Sequence, residues 1–550
     1  MSRRTTLERR PESTAPVQAP PDRASMRSRC WNGFKRWVRC HRLSLVALGG
    51  ALVIVGLAHW IGHDRFPGRI NDDEGTYVAQ AYAVQALNSL AHYTYWYDHP
   101  PLGWITMAGY TWLTDAFERL PTAVSAGREI MVWIKLVSAA MIYLLGRRLG
   151  YHRLAAAGAV LIFGLSPLAL MYQRMVFLDN LAVMWSICAL VLAVSPRKSL
   201  AAAAGSAVCF AMAVLTKETA LVLFPAVFML LWRHTPAKTR QYRIPLFLTL
   251  LGGLILFYPL YATLKNELFE GPGHVSLLWA IKWQLFGRPG SGSLLNPGSH
   301  TSSLVRLWMH QDPWLLGMGV LLTPVGLLVR STRPVAVALA IQVAMMCRNG
   351  YMPQPYVIAM LPFAAMVIAG VTDQLLKNFG GLGHLRHHAS PTSFNRRLWI
   401  QVARVGQLVA ALIICASLVA IAPAWGRGLR QAMTEDHSRP PRQALEYLLA
   451  NVQPGALLLV DDNIWTDLVR NGFNPNPIWF YKLDLDPAIR GSSKRRWRDI
   501  DYVVLGNLPA STLRTLPLVT SAIEHSDLVA DFGEGDIEIT IRRVNKYAPD

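Results

Sequence analysis

Charge is what this sequence has least of: 16% of its 550 residues are Asp, Glu, Lys or Arg, against roughly a quarter in an ordinary soluble domain. Ionised groups are costly in hydrocarbon, so the shortage points to a bilayer-embedded chain. Cysteine is also scarce. The six are Cys30, Cys40, Cys188, Cys209, Cys347 and Cys415; no CxxC zinc signature occurs, and no cysteine follows Cys415. The last 135 residues therefore contain no disulfide, which a domain above about a hundred residues does not require. Missing too are a Rossmann glycine fingerprint and a soluble domain with a D-x-D pair placed to hold a nucleotide. The sequence has no recognisable internal repeat.

What is abundant is apolar sequence. Hydrophobic residues make up 52% of the chain, in runs such as Leu43–Ile61 and Trp399–Pro423, close to the ~20 residues that cross a bilayer as a helix. The pattern predicts spans at 43–62, 130–149, 153–172, 176–195, 200–216, 219–233, 244–263, 313–330, 334–348, 355–373 and 400–423. The first run has no clear cleavage site and is expected to be a retained helix.

The net charge of +20 does not indicate nucleic-acid binding, because the cations sit in short loops between apolar runs. One alternate set of loops holds Arg147/Arg148/Arg153, Arg197/Lys198, Arg233 to Arg243, Arg330/Arg333 and Lys377 to Arg397. With the basic N-terminal arm, that set is expected on the cytoplasmic side. The long loops 63–129 and 264–312 and the C-terminal tail then lie outside the cytoplasm. The fold expected is an all-α polytopic membrane bundle of about eleven helices with a small extracytoplasmic α/β domain. Residues 1–42 form a disordered arm, 43–423 the membrane module and 424–550 the domain, with strands near 456–462, 501–507 and 536–543. Loop 63–129 carries two amphipathic stretches, Tyr77–His92 and Leu102–Leu120, suited to the membrane interface. Loop 264–312 carries another, His274–Phe286, before a Gly/Ser/Pro-rich stretch, 287–303, expected to be mobile.

Five polar clusters fall at helix ends on the predicted outer side. NDDEGTY contains Asp72, Asp73, Glu74 and Tyr77. Helix capping accounts for one acid there, and three in a row exceed that need. YWYDHPPLGW contains Asp98 and His99; a rigid turn explains its prolines but not its aromatic crowding. YQRMVFLDN places Arg174 and Asp179 together, where snorkelling or an internal ion pair is the bland alternative. LTKET supplies Lys217 and Glu218, with a snorkelling lysine as the alternative. CRNGYMPQPY supplies Arg348, Tyr351, Gln354 and Tyr356. Their shared side gives them joint meaning.

These motifs resemble the GT-C glycosyltransferase superfamily, especially the protein O-mannosyltransferases and the aminoarabinose transferase that modifies lipid A. The resemblance rests on Asp73-Glu74 with Tyr77, Asp98-His99-Pro100-Pro101-Leu102, Arg174 to Asp179, Thr216-Lys217 and the run Pro355 to Pro362. It covers most of residues 43–375 and implies transfer of a sugar from a polyprenyl-phosphate carrier, with inversion, to an acceptor hydroxyl on a cell-envelope glycan, lipid or protein. It also implies Asp73 as general base and Glu74 in substrate binding, with Arg174 and Lys217 on the carrier phosphate. Tyr77, Asp98, His99, Asp179, Arg348 and Tyr356 complete the expected substrate site. Loop 264–312 lacks the repeat module of the mannosyltransferases, which weakens the case for a protein acceptor. The partners expected are the lipid-linked donor, an unidentified acceptor and membrane lipids, with no nucleic acid. His59, His63, His92 and His99 do not form a known metal-ligand pattern, so the site is expected without a metal, a divalent cation being the alternative. From other classes, a transporter predicts inverted halves and mid-helix charges, and a scaffold predicts no need for Asp73 or Arg174.

Overall fold

The computed structural model describes residues 23–382, 393–473, 477–490 and 497–548. The chain is a helical bundle with one mixed sheet at its C-terminal end. Helix α1 (Arg23–Trp60) leads into a loop that carries α2 (Asp73–Ala86), α3 (Leu102–Thr114) and α4 (Ala116–Arg119). The helices α5 (Ala123–Leu149), α6 (Arg153–Leu165), α7 (Pro167–Tyr172), α8 (Leu178–Ala193) and α9 (Leu200–Thr216) form the centre. Then come α10 (Phe224–His234), α11 (Ala237–Ile255), α12 (Phe257–Leu264), α13 (Leu277–Lys282) and α14 (His300–Gln311). Helices α15 (Pro313–Leu328), α16 (Arg333–Met346), α17 (Val357–Leu382) and α18 (Ser393–Thr434) complete the bundle. Helix α8 packs on α5 and α9, and α17 on α6 and α15.

Local chemistry sets these boundaries. Thr122 caps α5 by accepting the Ser125 N–H at 3.2 Å, and Gly150 ends it in the left-handed region at φ 98°, where glycine carries no Cβ penalty. Asp312 caps α15, accepting the N–H groups of Trp314 (3.0 Å) and Leu315 (3.1 Å). Ser166 and Pro167 break the expected span 153–172 into α6 and α7, because proline does not donate to the helix ladder.

Five of the eleven expected spans fall on helices that are long and apolar enough to cross a membrane. The other six fall on shorter helices. The arm expected to be disordered is helical from Arg23 onward; after Pro21 it contains no further proline and several good helix formers. Its first 22 residues lie outside the described residues. The stretch 287–303 is fastened rather than loose. The Ser291 N–H donates to Gly350 O at 3.0 Å and the Leu294 N–H to Met346 O at 2.9 Å, while Ser293 Oγ donates to Cys347 O at 2.5 Å.

Helix α18 runs into α19 (Arg439–Asn451) and then the C-terminal domain, where α20 (Asp462–Leu468) and α21 (Phe480–Leu485) flank a five-stranded sheet. Its strands are β1 (Leu458–Val460), β2 (Pro477–Trp479), β3 (Tyr502–Gly506), β4 (Ser526–Phe532) and β5 (Ile539–Val544), in the order β2-β1-β3-β5-β4. β1 runs parallel to β2 and β3, whereas β5 is antiparallel to β3 and β4. All three sequence-predicted strands are present, as β1, β3 and β5. The domain docks on the first loop through Gly75. A Cβ built there would lie 2.5 Å from backbone atoms of Asp462 and Asn463, so only glycine lets α2 and α20 approach so closely.

Candidate active site

Residues far apart in sequence meet at one end of the bundle. α2 presents Asp73 beside its own loop: the Asp73 N–H donates to Asn71 Oδ1 at 3.2 Å, and Asn71 Nδ2 donates back to the Asp73 carboxylate at 3.0 Å. Lys217 caps the end of α9 and donates to Asp179, at the start of α8, at 2.6 Å. Both are buried. Gly103 permits this convergence, since a Cβ there would meet Leu178 at 2.5 Å and Thr216 at 3.2 Å. The next residue after Lys217, Glu218, pairs with His99 Nδ1 at 2.9 Å.

These groups act on one another. Burial raises the Asp73 carboxyl above the ordinary carboxylate range; Lys217 and His99 pull it back, Asp179 pushes it up, and the net is upward. Burial works against the Lys217 charge, but Asp179 and Asp73 outweigh it and hold the ammonium above its usual value. Burial likewise opposes the His99 cation, and Glu218 overcomes it, so His99 is raised. Tyr77 lines the same centre, its ring 6.2 Å from His99 and stacked on Trp104. Asp98 has a buried Oδ1 with no hydrogen-bond partner among the described residues. Tyr356 donates to Gln342 O at 3.0 Å and shares the wall of a small cavity with Asp179. The site therefore joins a carboxylate on a protein helix end to a fixed cation, the two groups that a displacement at carbon with an anionic leaving group needs.

Three expected site residues are placed elsewhere. Glu74 is fully occupied: Arg128 donates to it twice, at 2.8 and 2.7 Å, and the Val176 N–H donates at 3.0 Å. With side chains 1% and 3% exposed, that pair is an internal clamp between α2 and α5. Arg174 is buried and spends its guanidinium on main-chain carbonyls, donating to Ala58, to Ile61 at 2.9 Å, to Gly62 at 3.3 Å and to Ala432 at 2.6 Å. It staples the end of α1 to the end of α18. Arg348 is exposed on the turn before α17, with Nη2 3.5 Å from Tyr351 O.

The histidines divide similarly. His59 Nε2 lies 2.9 Å from Gly164 O and His63 Nδ1 2.8 Å from Trp60 O, while His92 packs 4.5 Å from the Trp465 ring. Among the described residues, no group of three or more His, Cys, Asp or Glu is arranged to hold a metal ion.

Sequence reasoning missed the partners of these groups. Arg128 and Glu129 lie inside an apolar helix, and an ionisable residue there is a signal by itself. Arg69, Asp461 and Asp462 form a junction between the first loop and the C-terminal domain. Arg69 Nη1 lies 3.0 Å from Asp461, and Arg69 also pairs with Asp72. Burial, reinforced by Asp461, pushes Asp72 up to about 6 against the pull of Arg69.

In sequence, a model of the dolichyl-phosphate-mannose-protein mannosyltransferase family matches residues 98–262. That segment contains His99, Asp179 and Lys217. No curated protein matches the chain in sequence. In three dimensions the chain is similar to ArnT from Cupriavidus metallidurans bound to undecaprenyl phosphate, at 14% identity and TM-score 0.53, over 93% of this chain and 100% of that one. The apo form of the same protein superposes at 15% identity and TM-score 0.54, over 89% and 96% of the two chains. The fold is that of the GT-C glycosyltransferases. Within this GT-C fold, Asp73 lies in the first loop and Lys217 at the end of α9, both at the end of the bundle that bears the C-terminal domain.

Proposed function

We propose that the protein transfers a sugar from a polyprenyl-phosphate carrier to an acceptor hydroxyl on the extracytoplasmic side, with inversion at the anomeric carbon. The observation that carries this reading is the buried Lys217–Asp179 pair acting on Asp73. An ammonium has three N–H donors; one is spent on Asp179, which fixes the side chain and leaves two for a phosphate oxygen. Support also comes from the family match across that pair and from the undecaprenyl phosphate that the similar ArnT binds.

In the step proposed, Asp73 takes the proton of the acceptor hydroxyl as its oxygen attacks the anomeric carbon. The bond from that carbon to the carrier phosphate oxygen breaks, the electron pair leaves with the phosphate, and Lys217 meets the new negative charge. Stabilising such charge in a water-poor site is commonly the largest catalytic term. Displacement by one oxygen from the opposite face needs a single base and gives inversion. Glu218 and Asp179 position the two cations, and the ring of Tyr77 borders the sugar. The termini, in this reading, are a cytoplasmic N-terminus and an extracytoplasmic C-terminal domain, and the eleven-span topology belongs to the same proposal.

The test uses purified protein, membranes as acceptor source and a radiolabelled polyprenyl-phosphate sugar. Acceptor-dependent loss of label from the lipid, abolished by Asp73→Asn in a folded and inserted protein, is expected. Near-normal turnover of Asp73→Asn removes Asp73 as the base, and no loss of label from any lipid-linked sugar overturns the reading.

A further inference from the structure

A second cavity, of about 970 Å³, opens at the end of the bundle away from Asp73. It lies where α5 and α10 end, beside the α8–α9 turn, the α15–α16 turn and the last turns of α17. The site and this cavity are separated by the length of α9, whose 17 residues span roughly 25 Å at 1.5 Å each. Arg148, Lys198, Arg233, Arg330 and Arg333 line it, no Asp or Glu does, and Leu149, Leu230 and Leu328 add an apolar wall.

A bias of cations toward one side orients helices wherever the side chains point. It does not require arginines and a lysine from four separate segments to surround one hollow. Arg148 is fixed by donating to Val191 O, and Arg333 by donating to Leu327 O at 2.7 Å and Leu328 O at 3.3 Å. Lys198, Arg233 and Arg330 are exposed, and none of the five belongs to an ion pair among the described residues. The carbonyl ends of α5 and α10 supply roughly half a negative charge each, which leaves most of the five positive charges uncompensated. Like charges held together repel, and an anion between them relieves that repulsion.

We propose that this cavity binds a phosphate-bearing anion with two or more negative charges in total, either the headgroup of an anionic membrane lipid or a free diphosphate. The proposal is independent of the transfer reaction. A cation near an anionic lipid surface contributes enough to change affinity about fivefold, so removing three should cost on the order of a hundredfold.

The experiment measures binding of fluorescent cardiolipin, fluorescent phosphatidylcholine and inorganic pyrophosphate to the purified full-length chain in detergent. Cardiolipin binding in preference to phosphatidylcholine, weakened about a hundredfold in Lys198→Ala/Arg233→Ala/Arg330→Ala, is expected for a lipid source. Pyrophosphate binding with the same loss identifies a free diphosphate instead. Should the triple variant fail to fold, Arg330→Ala alone carries the test, with about a fivefold loss. Arg39→Ala/Arg42→Ala, in α1, should leave binding unchanged. Binding of neither anion, or equal binding by wild type and the folded variants, overturns the proposal.

Discussion

The Lys217 ammonium and the Asp179 carboxylate stand 2.6 Å apart and buried, although 38 residues separate them in the chain. Such a pair costs desolvation, and that cost alone makes it poor evidence for stability. In the proposed reaction its use is placement: Asp179 fixes a cation whose charge acts on Asp73. Replacing the cation by an uncharged side chain of similar length separates the two roles. Lys217→Met should lower kcat/KM by roughly 10²–10³-fold, and Asp179→Asn, which keeps a hydrogen-bond acceptor for the ammonium, should cost less. Steady-state kinetics with a lipid-linked sugar decides it; equal losses would mean that the carboxylate itself touches substrate.

As the proposed base, Asp73 gives the pH dependence its sign. Burial raises its folded-state pKa, and a base works only when deprotonated, so activity is lost as pH falls through a value above the ordinary ~3.9 of aspartate. The acid limb of kcat/KM should therefore lie higher than for a solvated carboxylate. Lys217 is among the groups that hold Asp73 down, so Lys217→Met should shift that limb further up. A limb unmoved by the substitution would uncouple the two side chains.

What was legible in the sequence was whatever local chemistry decides. Apolar runs marked the helices, short strand-like runs marked β1, β3 and β5, and Asp73, His99, Asp179 and Lys217 stood out as charges at helix ends. Their partners were hidden because they depend on contacts between segments well separated in the chain, 38 residues for Lys217 with Asp179 and 119 for His99 with Glu218. Arg174 bonds to Ala432 O across 258 residues, and no pattern near YQRMVFLDN distinguishes a cation aimed at carbonyls from one aimed at a phosphate. Glu74 shows the same: its neighbour in sequence is Asp73, but its neighbours in space are Arg128 and Val176.

Arg174 should thus behave as a structural residue. Arg174→Ala leaves buried carbonyls of α1 and α18 without donors, and each unsatisfied buried group costs ~1–3 kcal/mol. A lowered melting temperature in detergent is expected, with the folded fraction retaining donor affinity. A normal melting point combined with a raised KM for the lipid-linked sugar would return Arg174 to the phosphate.

Glu74 is separable by the same logic. Glu74→Gln strands the Arg128 guanidinium, itself 2% exposed, and breaking a buried pair from one side costs about 3–5 kcal/mol. Instability rather than a selective rise in KM is expected, and Glu74→Gln/Arg128→Met should recover part of it by removing the stranded charge. Failure of the double variant to recover any stability would show that the Val176 N–H, not Arg128, is the partner that matters.

Docking of the C-terminal domain turns on Gly75. Alanine is the better helix former by ~1 kcal/mol, so on an open helix face Gly75→Ala would stabilise α2. Here the new Cβ meets main chain of Asp462 and Asn463 at 2.5 Å, and backbone, unlike a side chain, has no rotamer to yield. Forced separation of α2 from α20 would also break the bond from the Thr76 N–H to Asp462 at 2.8 Å. It would strain the contact from the Ala123 N–H to Asp467 at 2.9 Å. Limited proteolysis of the variant should cut between Thr434 and Arg439 and release the domain, with activity falling in step because α2 also carries Asp73. Gly75→Ala that resists protease like wild type and keeps its activity would mean that the domain rests on the first loop without gripping it.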